Sequence, residues 1–332
     1  MEPILSKCDE MTEMTTSTWL RMSLGVNLLI AIVAFPVLFC ALHYINTQQL
    51  FHPNTRIQIK VHIFGLLIHS AGRVALHCLD LINYFNNSGC DAFPDFYRCF
   101  VTRGFYNFGL ALAAMCSVSL VIERTVALVY SSTYENCGKS FGVLLGGVQL
   151  FLAFAFLFKL YLNAPFSPDP NVTLFYCQTL ASGHGSVWTI NAPLYAVMVG
   201  QCICRIIFWY LGVKTKKLRS TQKLQSLSTR YTLEQSIRSI KALNMFINAN
   251  FFVFFFLSFI GTTLHFNIPH MRRPTYFALV EVIHFIPTYG IILSVYIYHS
   301  LKKLDRKLKK SLEKSMKVDP SVYIVEFKRQ IG

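Results

Sequence analysis

Charge, and acidic charge above all, is what this sequence has least of. Only 16 of its 332 residues are Asp or Glu, and the charged types together make up 14%. A water-soluble domain carries about 25% charged residues, so this chain cannot cover itself with an ordinary hydrated surface. A cleavable leader is also missing. Residues 1–21 are polar and hold Glu2, Asp9, Glu10 and Glu13, without the basic start and small-residue cleavage site of a secretory signal. The first apolar run is therefore expected both to target and to anchor the chain. There is no phosphate-cradling glycine string, no low-complexity linker and no nucleic-acid module. Cys202-Ile203-Cys204 lacks the partners of a zinc site, and Gly183-His184-Gly185-Ser186 is not a nucleophile elbow. Neither an enzyme, a metal or cofactor protein, nor a nucleic-acid binder is expected.

What the sequence does have is apolar length. Hydrophobic residues make up 53% and the mean hydropathy is +0.43. About 20 mostly apolar residues span a bilayer core as a helix. Seven stretches qualify, near 22–46, 57–83, 100–128, 140–163, 188–212, 242–265 and 275–299. All must be helical, because lipid cannot satisfy backbone polar groups and a helix satisfies its own. The predicted fold class is all-α, a seven-transmembrane helix bundle over 22–299 between an N-terminal tail (1–21) and a basic tail (300–332).

Lys and Arg set its direction. The connectors near 47–60, 124–139 and 213–241, with the C-terminal tail, hold 22 of them. The N-terminal tail and the connectors near 84–103, 164–187 and 266–274 hold 6. Arg73, Lys159 and Arg205 fall inside spans. This asymmetry predicts the N-terminus outside and the C-terminus inside. It also assigns the net charge of +15 to topology and anionic lipid headgroups rather than to nucleic acid. The sequons at Asn86 (Asn86-Asn87-Ser88) and Asn171 (Asn171-Val172-Thr173) both fall on the outer side, as glycosylation requires. So do four of ten cysteines, Cys8, Cys90, Cys99 and Cys177, which suits disulfides. Four cysteines allow three connectivities.

Past the last span, Leu301, Leu304, Leu308 and Leu312 recur at steps of three and four, with Lys302, Lys303, Arg306, Lys307, Lys309 and Lys310 between them. That spacing predicts an amphipathic helix over 300–317 lying in the headgroup plane; a calmodulin target shares the pattern. Residues 226–241 are expected to lead helically into span six. His69, Arg73, His77, Asp80 and Tyr84 form a polar stripe on helix two. Intramembrane ionisable groups face the bundle or water. Arg73 and Asp80 stand about 10.5 Å apart along the axis, too far for an easy pair, so a partner such as Glu281 on another helix is expected.

The third span closes with Val121-Ile122-Glu123-Arg124-Thr125-Val126-Ala127. This position and dipeptide resemble the Asp/Glu-Arg-Tyr switch of G-protein-coupled receptors, with Thr125 where Tyr stands in that motif. Longer strings narrow the resemblance: Phe51-His52-Pro53-Asn54-Thr55, Phe96-Tyr97-Arg98-Cys99-Phe100, Ser131-Ser132-Thr133-Tyr134-Glu135-Asn136-Cys137-Gly138-Lys139, and Leu227-Ser228-Thr229-Arg230-Tyr231-Thr232-Leu233-Glu234-Gln235-Ser236-Ile237-Arg238-Ser239. Together they resemble the nematode serpentine chemoreceptors of the class alpha superfamily, most of all its alpha/beta branch, over nearly the whole chain.

The resemblance implies a chemosensory receptor that binds a small chemical and activates a heterotrimeric G protein, at the plasma membrane of sensory cilia. It implies a Cys99–Cys177 bridge, which leaves Cys8–Cys90 as a second staple. Glu123 and Arg124 become the activation switch. Arg124, Lys216, Lys217, Arg230 and Arg238 become candidate G-protein contacts. Tyr106, Trp188, Asn191, Tyr195, Tyr276 and Glu281, in the outer halves, become candidate ligand contacts. Phe285-Ile286-Pro287-Thr288-Tyr289-Gly290 departs from the Asn-Pro-x-x-Tyr string of rhodopsin-like receptors, so that switch is not carried over, although Pro287 is expected to kink the helix. The alternative is a seven-span transporter or channel using Arg73, Lys159 and Arg205, but no internal repeat supports it. A membrane adaptor acting through its basic tail is a third class.

Overall fold

The computed structural model describes residues 7–47, 51–130, 134, 138–163, 174–177, 187–221, 227–267 and 270–316. A short helix, α1 (Lys7–Thr16), leads into α2 (Thr18–Thr47). Then come α3 (Pro53–Asn86), a 3-10 turn (Gly89–Ala92), α4 (Phe96–Val129), α5 (Ser140–Asn163), α6 (Val187–Thr221) and α7 (Leu227–Asn267). The last apolar segment forms two helices, α8 (Arg273–Ile283) and α9 (Ile286–Met316). The described residues contain no strand, and seven of their segments are long and apolar enough to cross a membrane. The outside of the bundle is itself apolar. Leu29, Phe151, Ile206 and Ile292 are each more than 60% exposed, a pattern that suits lipid rather than water.

Two elements differ from the sequence expectation. The polar N-terminal tail contains α1, whose Met11 and Met14 are fully buried against Leu20, Leu24, Tyr276 and Phe277. Among the described residues no separate eighth helix forms: α9 runs in one piece to Met316. The segment around Ser300-Leu301-Lys302 has no Gly or Pro to break it, and Leu301 is buried in the main core.

The break between α8 and α9 follows from Pro287. Proline has no N–H and disfavours helical backbone just before it. The amide of Phe285 turns back to the carbonyl of Ile283 at 2.8 Å. The carbonyl of Glu281, one turn earlier, loses its helical partner and is served by Asn27 Nδ2 at 2.9 Å and Arg73 Nη2 at 3.0 Å. In a membrane such replacement donors are required, because no water reaches the freed group.

α3 lies at the centre, packed on α2, α4 and α5, while α4 also meets α6 and α7. α3 and α4 approach closely through glycine. A Cβ on Gly109 would stand 2.4 Å from the His69 amide nitrogen and 2.5 Å from the Gly65 carbonyl, and one on Gly72 would stand 2.6 Å from the Tyr106 nitrogen. Small residues allow backbones of membrane helices this near. The contact lets His62 and His69 of α3 reach the α4 carbonyls of Ala113 and Tyr106 with Nδ1, each at 3.0 Å. A methyl at Gly109 must therefore move backbone. Gly109→Ala should cost about 1–3 kcal/mol as overpacking, read as a lower unfolding temperature of the detergent-solubilised protein and reduced cell-surface yield.

At the end that the charge count assigns to the outside, two disulfides hold the cap. Cys8–Cys90 joins α1 to the 3-10 turn, with Cα atoms 4.7 Å apart. Cys99–Cys177 joins the top of α4 to the connector after α5, at 5.0 Å. Glu10 pairs with Arg273 at 3.1 Å and Glu13 with Arg272 at 3.9 Å. Exposed pairs of this kind add little.

Candidate functional site

Three buried polar groups run down the bundle axis. The outermost centres on Glu281 of α8, fully buried. Its Oε1 accepts from Arg103 Nη2 at 3.0 Å and from the Tyr176 hydroxyl at 2.8 Å. Its Oε2 meets Arg73 Nη2 at 3.0 Å and His77 Nε2 at 3.3 Å. One carboxylate thus gathers α3, α4, α8 and the disulfide-bound connector. Arg73 also donates to the carbonyl of His284, and Arg103 to that of Cys177. The Tyr106 ring lies 4.7 Å from the Arg103 guanidinium carbon and 5.8 Å from that of Arg73. Asp80 pairs with Arg98 at 2.8 Å. Three guanidiniums face two carboxylates, so the cluster carries an extra cation. The Nε2 of His69 is buried there with no hydrogen-bond partner among the described residues.

Below this lies a small network that crosses four helices. Tyr289 of α9 donates to Asn250 Oδ1 of α7 at 2.8 Å, and Asn250 Nδ2 donates to Ser117 of α4 at 2.7 Å. His62 of α3 stands 3.3 Å from the same tyrosine hydroxyl. Beside it, between α4, α6, α7 and His284, is a cavity of about 110 Å³ with largely apolar walls.

At the basic end, Glu123 and Arg124 are both buried and paired through both carboxylate oxygens. Arg124 further donates to Thr55 of α3 at 2.8 Å and to Ser239 of α7 at 3.0 Å. Thr55 donates to Glu123 at 3.0 Å, and Tyr134 donates to Glu123 as well. Tyr134 is held in turn by Asn54 Nδ2 at 3.3 Å, whose Oδ1 accepts from the Gly142 amide at 3.0 Å. Its phenol is pushed well above the ordinary range, by burial first and then by the adjacent Glu123. It remains a donor to that carboxylate.

The stripe residues His69, Arg73, His77 and Asp80 are all buried, and the structure brings them together with Tyr106 and Glu281. Tyr276 is buried one cluster further out, its ring 5.1 Å from that of Phe277. Tyr195 is half-buried on α6, outside the cavity lining. Lys216 and Lys217 are exposed on the inner extension of α6, and Asn86 is exposed at the end of α3. The side chains of Trp188, Asn191, Arg230 and Arg238 lie outside the described atoms, as does all of Asn171. Sequence reasoning missed Arg103, Tyr176, His284, Thr55, Ser117, Tyr134, Ser239, Asn250 and Tyr289. One of these carried a readable signal: Asn250 is an amide at the head of the phenylalanine run 251–256.

The profile of the family described as "Serpentine type 7TM GPCR receptor class ab chemoreceptor" matches residues 5–332. The chain belongs to the class ab serpentine receptors. Among curated proteins this receptor is similar to serpentine receptor class beta-6 of Caenorhabditis elegans, 23% identical over 91% of this chain and 89% of that one. Serpentine receptor class alpha-10 of Caenorhabditis briggsae is 20% identical over 90% and 89% of the two chains. Serpentine receptor class beta-3 of Caenorhabditis elegans is 24% identical over 86% and 81%. Membership agrees with the seven membrane-length helices and makes this class ab receptor a multi-pass membrane protein of a chemoreceptor family. In it, the Glu123–Arg124 pair occupies the inner end of the third span, tied to the second by Thr55 and to the sixth by Ser239.

Proposed function

We propose that this serpentine receptor binds a small chemical among its outer helix halves and, on binding, opens its inner end to a heterotrimeric G protein. The observation that carries the reading is the Arg124 guanidinium, buried against Glu123, Thr55 and Ser239. A buried guanidinium shared by three helices is held only while they stay together, and its release creates a cation for a partner protein. The N-terminus lies outside and the C-terminus inside on the Lys/Arg asymmetry. The exposed Lys216 and Lys217 at the inner end of α6, with Arg230 and Arg238 on α7, supply the rest of a basic partner surface and attract anionic lipid. The Glu281 cluster sits between the disulfide-bound cap and the cavity, and relays occupancy to the α8–α9 break. Sensory cilia are the proposed site of action, with glycans at Asn86 and Asn171.

Arg124→Ala should leave the receptor at the cell surface while abolishing agonist-driven G-protein activation. Undiminished activation in that variant removes Arg124 from the coupling role. A ligand-evoked current or uptake in membranes stripped of G protein points instead to the transporter reading.

A further inference from the structure

The cavity beside the middle network has a chemistry that specifies its occupant. Its volume is about 110 Å³. A dry apolar cavity of about 150 Å³ holds benzene, so an occupant of roughly four to six carbons fits here. Ala111 and Ala114 of α4 make the floor, and Phe156 of α5 and Leu194 and Val197 of α6 make the sides. Among the described residues no charged side chain lines it, so an ion would lose its hydration without a counter-charge. Three polar side chains border it, Asn107, Ser258 and His284, and the ring of the last is set in a defined state. His284 Nδ1 lies 2.7 Å from the Val280 carbonyl, which can only accept. Nδ1 therefore carries the proton and the neutral ring keeps its lone pair on Nε2. That nitrogen has no hydrogen-bond partner among the described residues, and His284 borders the cavity.

The route in is also constrained. Toward the outside, Tyr176 and Cys177 sit on the Glu281 cluster, and α1 is stapled over α2 and the 3-10 turn. Sideways the bundle is thin. α5 packs on α3 and α4, and α6 on α4 and α7, but α5 and α6 form no packed seam with each other among the described residues. Phe156 of α5 and Leu194 and Val197 of α6 all border the cavity between these two helices.

We infer that this cavity takes a compact, neutral, lipid-soluble molecule with one hydrogen-bond donor, and that it enters from the bilayer between α5 and α6. The inference rests on the receptor reading above and names its ligand class. The donor, an alcohol in the simplest case, is held by His284 Nε2 while its hydrocarbon fills the space against Ala111 and Ala114.

The test uses the full-length receptor in cells with a G-protein reporter, dosed with straight-chain alcohols of about four to six carbons, ketones of equal length, and the matching carboxylates. Alcohols should activate, ketones should be about fivefold or more weaker for want of the hydrogen bond, and carboxylates should be silent. His284→Phe should bring alcohol and ketone potencies within about twofold of each other, a levelling that misfolding does not mimic. Ala111→Phe, matched for surface level, should lose the response because the ring occupies the space. Phe156→Trp combined with Leu194→Trp should slow onset several-fold and also weaken the response, since both side chains border the cavity and the larger rings take up its space as well as its entry. Carboxylates outperforming alcohols, an alcohol preference that survives His284→Phe, or onset unchanged in the tryptophan pair would each overturn the inference. Ser239→Ala separates the two levels. Raised basal activation in that variant, with silence to the whole panel, overturns the ligand assignment and leaves the receptor reading standing. No G-protein activation by any variant at normal surface level overturns the receptor reading itself.

Discussion

In cells expressing Glu281→Ala, mature receptor at the surface should fall to a small fraction of the wild-type level. The carboxylate is fully buried and is the anion shared by Arg73 and Arg103, each at 3.0 Å. Removing one partner of a buried pair leaves an uncompensated charge and costs about 3–5 kcal/mol. Here two guanidiniums lose their partner at once. Domain stabilities are about 5–15 kcal/mol, so the loss is a large share of the total. Tyr176→Phe removes one neutral donor from the same carboxylate and should cost only about 1 kcal/mol. The ordering of the two variants, by surface labelling and by thermal unfolding in detergent, tests whether charge rather than packing holds the cluster. Glu281→Ala behaving like Tyr176→Phe would show that the arginines find other partners.

Ser239→Ala should raise G-protein activation in the absence of agonist. The serine hydroxyl is the group on α7 that holds Arg124, at 3.0 Å, while Thr55 and Glu123 hold it from α3 and α4. A hydrogen bond to a charged group contributes about 1.5–3 kcal/mol, and about 1.4 kcal/mol is tenfold in an equilibrium. An open state that is about 1% populated at rest would rise to roughly 10% or more. Arg124 itself remains, so agonist response should persist, unlike in Arg124→Ala. The measurement is basal nucleotide exchange normalised to surface receptor. Unchanged basal exchange would place the closing contact elsewhere, with the Asn250–Ser117 bond the next candidate.

The seven spans were legible because apolar runs of hydrocarbon length have few other physical outcomes. The Arg73–Glu281 pair was legible for a related reason: a guanidinium and a carboxylate each inside an apolar helix must find partners there. Arg103 was not, since its place one turn below Cys99 reads as connector until the helix start at Phe96 is known. Tyr176 and Ser239 are ordinary residues whose importance comes from what the fold sets beside them. Tyr134 could not be assigned from spacing, because its hydroxyl meets Glu123 only after the chain turns past the end of α4. The amphipathic spacing after Leu301 predicted a helix correctly in kind, but spacing alone does not say where one helix ends and the next begins. Without a breaker, α9 simply continues. The disulfide pairing was left open by cysteine arithmetic, and the resemblance chose between the three arrangements.

The close approach of α3 and α4 through Gly65, Gly72 and Gly109 has a mechanical corollary. Two rods in backbone contact along their shared length behave as a single stiff plate, with α5 lying against it. α6 and α7 form a second plate, packed on α4 and bonded to it through Gln201, Asn250 and Ser239, with the cavity left between the two plates. Hinging is then confined to the line where the plates meet, and a few atoms wedged into that gap act with the leverage of the whole helix length.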